Sequence, residues 1–243
     1  MRKRTETLPA GVPEGRLVVL DTETTGLRPE QGDAIVEIGC AEILDRKITG
    51  RVFHAYVNPL KELTDETVRI HGLTMPLLSG QPAFPAFIEP LSEFIDDSTV
   101  IIHNAPFDVG FLDAEMRRAG RGDRAFSNRF RVYDSLAHAR HHLAQNGASL
   151  DALCRKFGIA LDARKVHGAL IDAWLLARVW LAMTAGQAGL AFGATETGQG
   201  EVSRREPVLR EGWRPRVLRA SEAEIAAHQA FFKRIEKTGV EPF

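Results

Sequence analysis

A chain of 243 residues, 44% hydrophobic and 26% charged, is long enough for one large domain with appendages, and a core of that size buries roughly 70% of the unfolded surface. With 31 basic against 32 acidic residues the formal net charge is −1, which excludes the broad basic footprint of a duplex-coating protein and leaves short-range, metal-assisted contacts for any polyanion. Two cysteines without zinc or disulfide spacing, and no apolar run near about 18 residues, exclude a disulfide-stapled scaffold and a membrane-spanning helix, so a soluble, unexported cytoplasmic protein is expected.

In chain order, Met1 to Gly15 reads as an extension before the domain. Leu17-Val18-Val19-Leu20 is an apolar run suited to a buried strand over 17 to 22, delivering Asp21 at its end. Asp21 and Glu23 stand two apart in Asp21-Thr22-Glu23-Thr24-Thr25-Gly26, and on extended backbone that spacing puts both side chains on one face. Strands are expected over 34 to 44 and 51 to 58, and the short connections among the first three suggest antiparallel pairing. Glu66 to Thr74 reads as a short helix turning at Gly72, and a further helix is expected over 83 to 96.

Val100-Ile101-Ile102 marks a fourth strand, near 99 to 103. After it Asn104 can cap a helix over 105 to 119 that tolerates Pro106 and carries Asp108 in its opening turn. A fifth strand is expected near 130 to 133, with helices near 134 to 144, 149 to 157 and 169 to 184. Later strands alternating with helices suggest parallel additions, giving an α/β fold with a mixed sheet flanked by helices. Cys40 and Cys154 fall within apolar stretches and read as small buried hydrophobes. In the last helix Arg178 is the only charge from Ala173 to Met183, so packing on more than one side is expected. Asp172 shares its stripe with Leu176, Val179 and Met183, a setting that is costly for a carboxylate without a cation or hydrogen bonds. His167 lies in the loop that leads into that helix.

Asp21, Glu23, Asp108 and Asp172 with His167 are the residues a two-metal nuclease requires. Mg²⁺ and Mn²⁺ prefer hard oxygen ligands, and two ions about 3.5–4 Å apart can stabilise both the attacking and the leaving oxygen of a phosphoryl displacement. Four acids supply ligands and offset the ions' charge. A histidine, with a reference pKa of about 6.5, can take a proton from the attacking water near neutral pH.

These three clusters resemble the motifs of the DEDD exonucleases, in the branch with a catalytic histidine. Asp21 and Glu23 match the first motif, Asp108 the second, and His167 with Asp172, five residues on, the third. The resemblance covers residues 16 to 184. It implies an RNase H-like fold and metal-dependent 3′ to 5′ hydrolysis of single-stranded nucleic acid to nucleoside 5′-monophosphates. It also implies that Glu66 and His71 border the terminal nucleotide and that Thr24 meets its 3′-hydroxyl. Leu27 and Phe107 can wedge or stack against the terminal bases, a contact that tolerates any sequence.

After Thr184 the composition shifts. Five glycines between 186 and 200 interrupt a stretch poor in bulky residues, a linker over 185 to 202. Within it, Gln187-Ala188-Gly189-Leu190-Ala191-Phe192 resembles the peptides that dock into the bacterial sliding clamp through Gln187, Leu190 and Phe192. Ser203 to Arg219 is Arg-rich, suited to acidic protein or nucleic acid or to solvent. A helix then follows with Ser221 and Glu224 as capping box, Ile225, Phe232 and Ile235 on one face and Gly239 at its end. Residues 220 to 228 are similar to the C-terminal segment of the ε, proofreading, subunits of bacterial DNA polymerase III. That resemblance implies that residues 203 to 243 bind the polymerase α subunit in a nucleoid-associated replisome. Two departures stand out: the N-terminal extension, and an ending in Val240-Glu241-Pro242-Phe243 without the tryptophan expected there. The alternatives are a freestanding exonuclease acting on RNA or short oligonucleotides, and a catalytically weak scaffold linking polymerase and clamp.

Overall fold

A computed structural model describes residues 11–143, 147–161 and 167–185. The clamp-like peptide, most of the glycine-rich linker, the Arg-rich stretch and the capped tail helix lie outside them.

Among the described residues five strands form one sheet: β1 (Arg16–Thr24), β2 (Ile35–Leu44), β3 (Lys47–Tyr56), β4 (Thr99–Ile102) and β5 (Arg131–Asp134). Their order is β3-β2-β1-β4-β5. The β1–β2 and β2–β3 pairs are antiparallel, and β1–β4 and β4–β5 are parallel. The helices are α1 (Asp65–His71), α2 (Met75–Leu78), α3 (Ile88–Ile95), α4 (Ala105–Arg118), α5 (Phe126–Arg129), α6 (Ser135–His142), α7 (Leu150–Lys156) and α8 (Ala169–Met183), with 3-10 turns at 29–31, 84–87 and 122–124. The expected mixed sheet is what the chain builds.

Local differences have local causes. β3 starts at Lys47 rather than 51, because Asp45 and Arg46 both take positive φ (46° and 61°) and Leu44 pairs directly with Lys47. That is a two-residue hairpin turn of the kind Asn-Gly usually signals, hidden here by Asp-Arg. α2 and α5 are single turns of four residues, too short for periodicity to reveal.

Strand alternation divides the core. On β1, Val18 and Leu20 pack with Val100, Ile102, Leu91, Ile95, Phe111 and Leu112 on the α3 and α4 side. Leu17 and Val19 pack with Ile101, Ala173, Leu176, Ala177 and Trp180 on the α8 side. α8 is packed on a second flank too, where Leu175 and Val179 meet Ala139, Leu153 and Cys154, the two-sided burial its sequence predicts. Cys40 and Cys154 are both buried, as their apolar settings predict. Among the described residues no helix is long and apolar enough to cross a membrane.

Beside Trp180 lies His138, buried, with Nδ1 2.8 Å from the Tyr133 hydroxyl and its ring 4.3 Å from that of His142. Burial, then the neighbouring His142 and His141, push its pKa down to about 4. The fold thus favours neutral His138: its contribution is complete above the unfolded pKa of about 6.5 and is lost as pH falls through that value toward the folded one. Melting curves should show stability falling over that window by at most about 1.4 kcal/mol per pH unit from this group. His138→Gln should flatten the slope there, and a parental slope in the variant would contradict the assignment.

Candidate active site

β1 pairs with β4 only from Leu17 to Val19, so its last five residues, Leu20 to Thr24, run beyond that pairing. The acids lie inside this overhang, since β1 continues to Thr24 rather than ending near 22. Asp21 and Glu23 continue the odd-numbered face that packs on α8, while Thr22 points the other way. A register shift at Glu23/Thr24 against β2 marks a bulge beside the acids.

α4 fills the edge that β4 leaves open. The Thr22 amide and hydroxyl both donate to Asp108 Oδ1, at 3.1 and 2.7 Å, so a side chain stands where a ladder partner would. The start of α4 is fixed from β5: Asp134 Oδ1 accepts the Asn104 amide at 3.2 Å while also capping α6 through the amides of Leu136 and Ala137. Asn104 occupies the N-cap position of α4, as expected, but its side chain makes no capping bond. It sits at φ 71°, in the left-handed region that asparagine tolerates, and its backbone makes the turn.

α8 brings in the remaining two residues. Asp172 is buried in its first turn and His167 is half exposed just ahead of it, with Nδ1 and Asp172 Oδ2 3.4 Å apart. Gly39 lets this helix end sit directly on β2, because a Cβ there would overlap the Ala169 carbonyl and the Leu170 amide. One ligand atom each of Glu23, His167 and Asp172 lies within 4.8 Å of the others. Asp21 shares Glu23's face, and Asp108 is bonded to the residue between the two. Sequence reasoning missed Thr22, which patterning marks only as an alternate strand position.

Burial pushes the Asp108 carboxyl up to about 7, against the Thr22 bonds that favour its charged form. A buried carboxylate of this kind is stabilised by a nearby cation. The donor set, carboxylate oxygens with one imidazole converging at cation-sharing distance, fits a divalent metal ion.

The residues expected to contact the nucleotide have the following settings. Leu27 is 77% exposed on a loop braced by Asp33, whose carboxylate accepts the Arg28 amide at 3.0 Å and pairs with Lys61 at 2.9 Å. The Thr24 hydroxyl donates to the Gly26 carbonyl at 2.6 Å. Glu66 is exposed on α1, and Phe107 is half buried with its ring 5.0 Å from that of Phe111. His71 is buried; its Nδ1 accepts the Leu73 amide at 3.0 Å, and burial pulls its pKa down. The end of α1 also touches the centre, since the Ile70 carbonyl accepts the His167 amide at 3.1 Å.

A family model described as Exonuclease matches residues 18–180. The chain is 40% identical over 232 residues to the DNA polymerase III subunit epsilon of Escherichia coli strain K12, covering 92% of this chain and 95% of that protein. It is 44% identical over 172 residues to the subunit epsilon of Rickettsia prowazekii, covering 71% and 75%. Among solved structures, the nuclease domain of 3'hExo, a DEDDh family member bound to rAMP, aligns with a TM-score of 0.62 at 17% identity, covering 71% of this chain and 93% of that one. At that identity the likeness concerns the fold.

Proposed function

Because this chain belongs to the exonuclease family, and within it to the DNA polymerase III epsilon subunits, it is a metal-dependent 3′–5′ exonuclease of replicative proofreading, and we propose that Asp21, Glu23, Asp108, His167 and Asp172 form its active site. The observation that carries the residue assignment is the convergence of Glu23, His167 and Asp172 from two separate elements, with Asp108 bonded into the same strand.

In this reading Asp21, Glu23, Asp108 and Asp172 hold two divalent cations, Mg²⁺ or Mn²⁺. Bound there, the cations supply charge stabilisation for the attacking and leaving oxygens. His167, half exposed at the rim, takes the proton of the attacking water and is oriented by Asp172. Leu27 on its braced loop separates the terminal base, while Thr24, Glu66, His71 and Phe107 border the last nucleotides. The product is a nucleoside 5′-monophosphate.

The chain associates with DNA polymerase III and with DNA. We assign the α-subunit contact to residues 203–243 and the clamp contact to Gln187, Leu190 and Phe192, on the strength of their sequence resemblance. Matched single-stranded DNA and RNA oligomers test the substrate, with and without Mg²⁺. Nucleoside 5′-monophosphates should appear from the DNA 3′ end and vanish with chelator. An RNA preference of about tenfold, or metal-independent hydrolysis, would overturn the reading. Deleting residues 186–243 should abolish co-purification with both partners, and retained binding would remove the tail assignments.

A further inference from the structure

Glu37 is a further acid on the sheet face that carries Asp21 and Glu23. It is directly opposite Glu23 in the β1–β2 ladder and only 4% exposed, and opposed residues at that position hold their Cβ atoms about 5 Å apart. Proximity alone would make it another metal ligand, but both of its oxygens are bonded within the protein. Oε1 lies 2.7 Å from Nε2 of His54 on β3, and Oε2 accepts the backbone amide of Ala169 at 3.1 Å.

Ala169 is the first residue of α8, and that helix begins with Gly168, which offers no side chain to cap it. The opening amides of a helix need acceptors, and a negative charge there is favoured by the helix dipole. Glu37 supplies both from a neighbouring strand. The bonded amide lies two residues after His167 and three before Asp172, and the other end of this stretch is tied by His167's own amide to Ile70. Gly39, two residues along the same strand, gives the helix its seat.

We propose that Glu37, steadied by His54, is a positioning residue: it fixes the N-terminus of α8 and thereby the relative placement of His167 and Asp172. The inference rests on the active-site reading above. Removing the carboxylate frees the first turn of α8 and lets the two groups drift, and a displacement of about 1 Å in such a site costs on the order of 100-fold in rate. Ground-state binding of the nucleotide, which uses β1, α1 and the Leu27 loop, is left in place.

The test is steady-state hydrolysis of a single-stranded DNA oligomer by the full chain with Mg²⁺, comparing Glu37→Ala and Glu37→Gln, together with hydrogen exchange at the Ala169 amide. Glu37→Ala should lower kcat on the order of 100-fold, with KM within about threefold of the parent and faster exchange at Ala169. Glu37→Gln keeps an oxygen for that amide and should restore kcat to within about fivefold of the parent. Parental kcat in Glu37→Ala, or equal losses in both variants, would overturn the proposal. Should Glu37→Ala not fold, His54→Ala carries the test: kcat should fall about tenfold at unchanged KM, with faster exchange at Ala169, and parental values would overturn it. An inactive parent protein would instead remove the active-site reading itself.

Discussion

Asp172→Asn is expected to lower kcat/KM by about 1,000-fold or more and to abolish stabilisation of the fold by Mn²⁺. The side chain is buried among the apolar residues of α8 and shares a ligand-atom cluster with Glu23 and His167. Metal-assisted charge stabilisation is worth several kcal/mol in such displacements, and each 1.36 kcal/mol is tenfold in rate, which sets the size of the loss. Asparagine keeps the volume and one acceptor oxygen, so the helix should remain. Metal that binds only the folded state raises the melting temperature with concentration. A Mn²⁺ titration should therefore move the parent and not the variant, and equal shifts in both would show that Asp172 holds no metal.

His167→Ala should lower kcat by between about 100- and 10,000-fold, the usual range for a lost general base, while the Mn²⁺-induced shift in melting temperature persists. The difference from Asp172 follows from placement: His167 is half exposed at the rim and carboxylates are the harder ligands. Near-parental hydrolysis by this variant would remove the assigned role, and loss of the Mn²⁺ response would make His167 a ligand. The two variants together separate holding metal from moving a proton.

The proposed site residues could be picked out in the sequence because each lies within or next to an element that periodicity reveals. Leu17 to Leu20, Val100 to Ile102 and the apolar α8 stripe are long enough to be read, and the acids interrupt them. What was not legible was how the clusters meet. That β1 overruns β4 and leaves an edge for Asp108 to fill depends on strand lengths, and a difference of two or three residues is within the blur of any boundary read from sequence. Thr22 gave no signal because a threonine in a strand is ordinary. Glu37 did give one: an acid in the apolar run Ile35-Val36-Glu37-Ile38, two residues before a strand glycine. Its meaning needed the register that sets it opposite Glu23.

The fold explains why these sites need a sheet with an uneven edge. Parallel addition of β4 beside β1 brings α4 back over one face, and α8 lies on the other. Residues of opposite parity on one overhanging strand thereby meet two helices. Asp134, at the end of β5, closes the arrangement by fixing the turn before α4 and capping α6 at once. The carboxylates of the centre thus hang on a strand and on the first turns of two helices packed against the sheet, the condition for holding such groups within fractions of an ångström.

Anomalous diffraction from crystals grown with Mn²⁺ and a nucleoside 5′-monophosphate measures the central claim most directly. Two peaks about 3.5–4 Å apart, ligated by carboxylate oxygens of Asp21, Glu23, Asp108 and Asp172 with the imidazole of His167 facing the space between metal and phosphate, are the predicted result. Manganese bound elsewhere, or held at this place without those carboxylates, would contradict it.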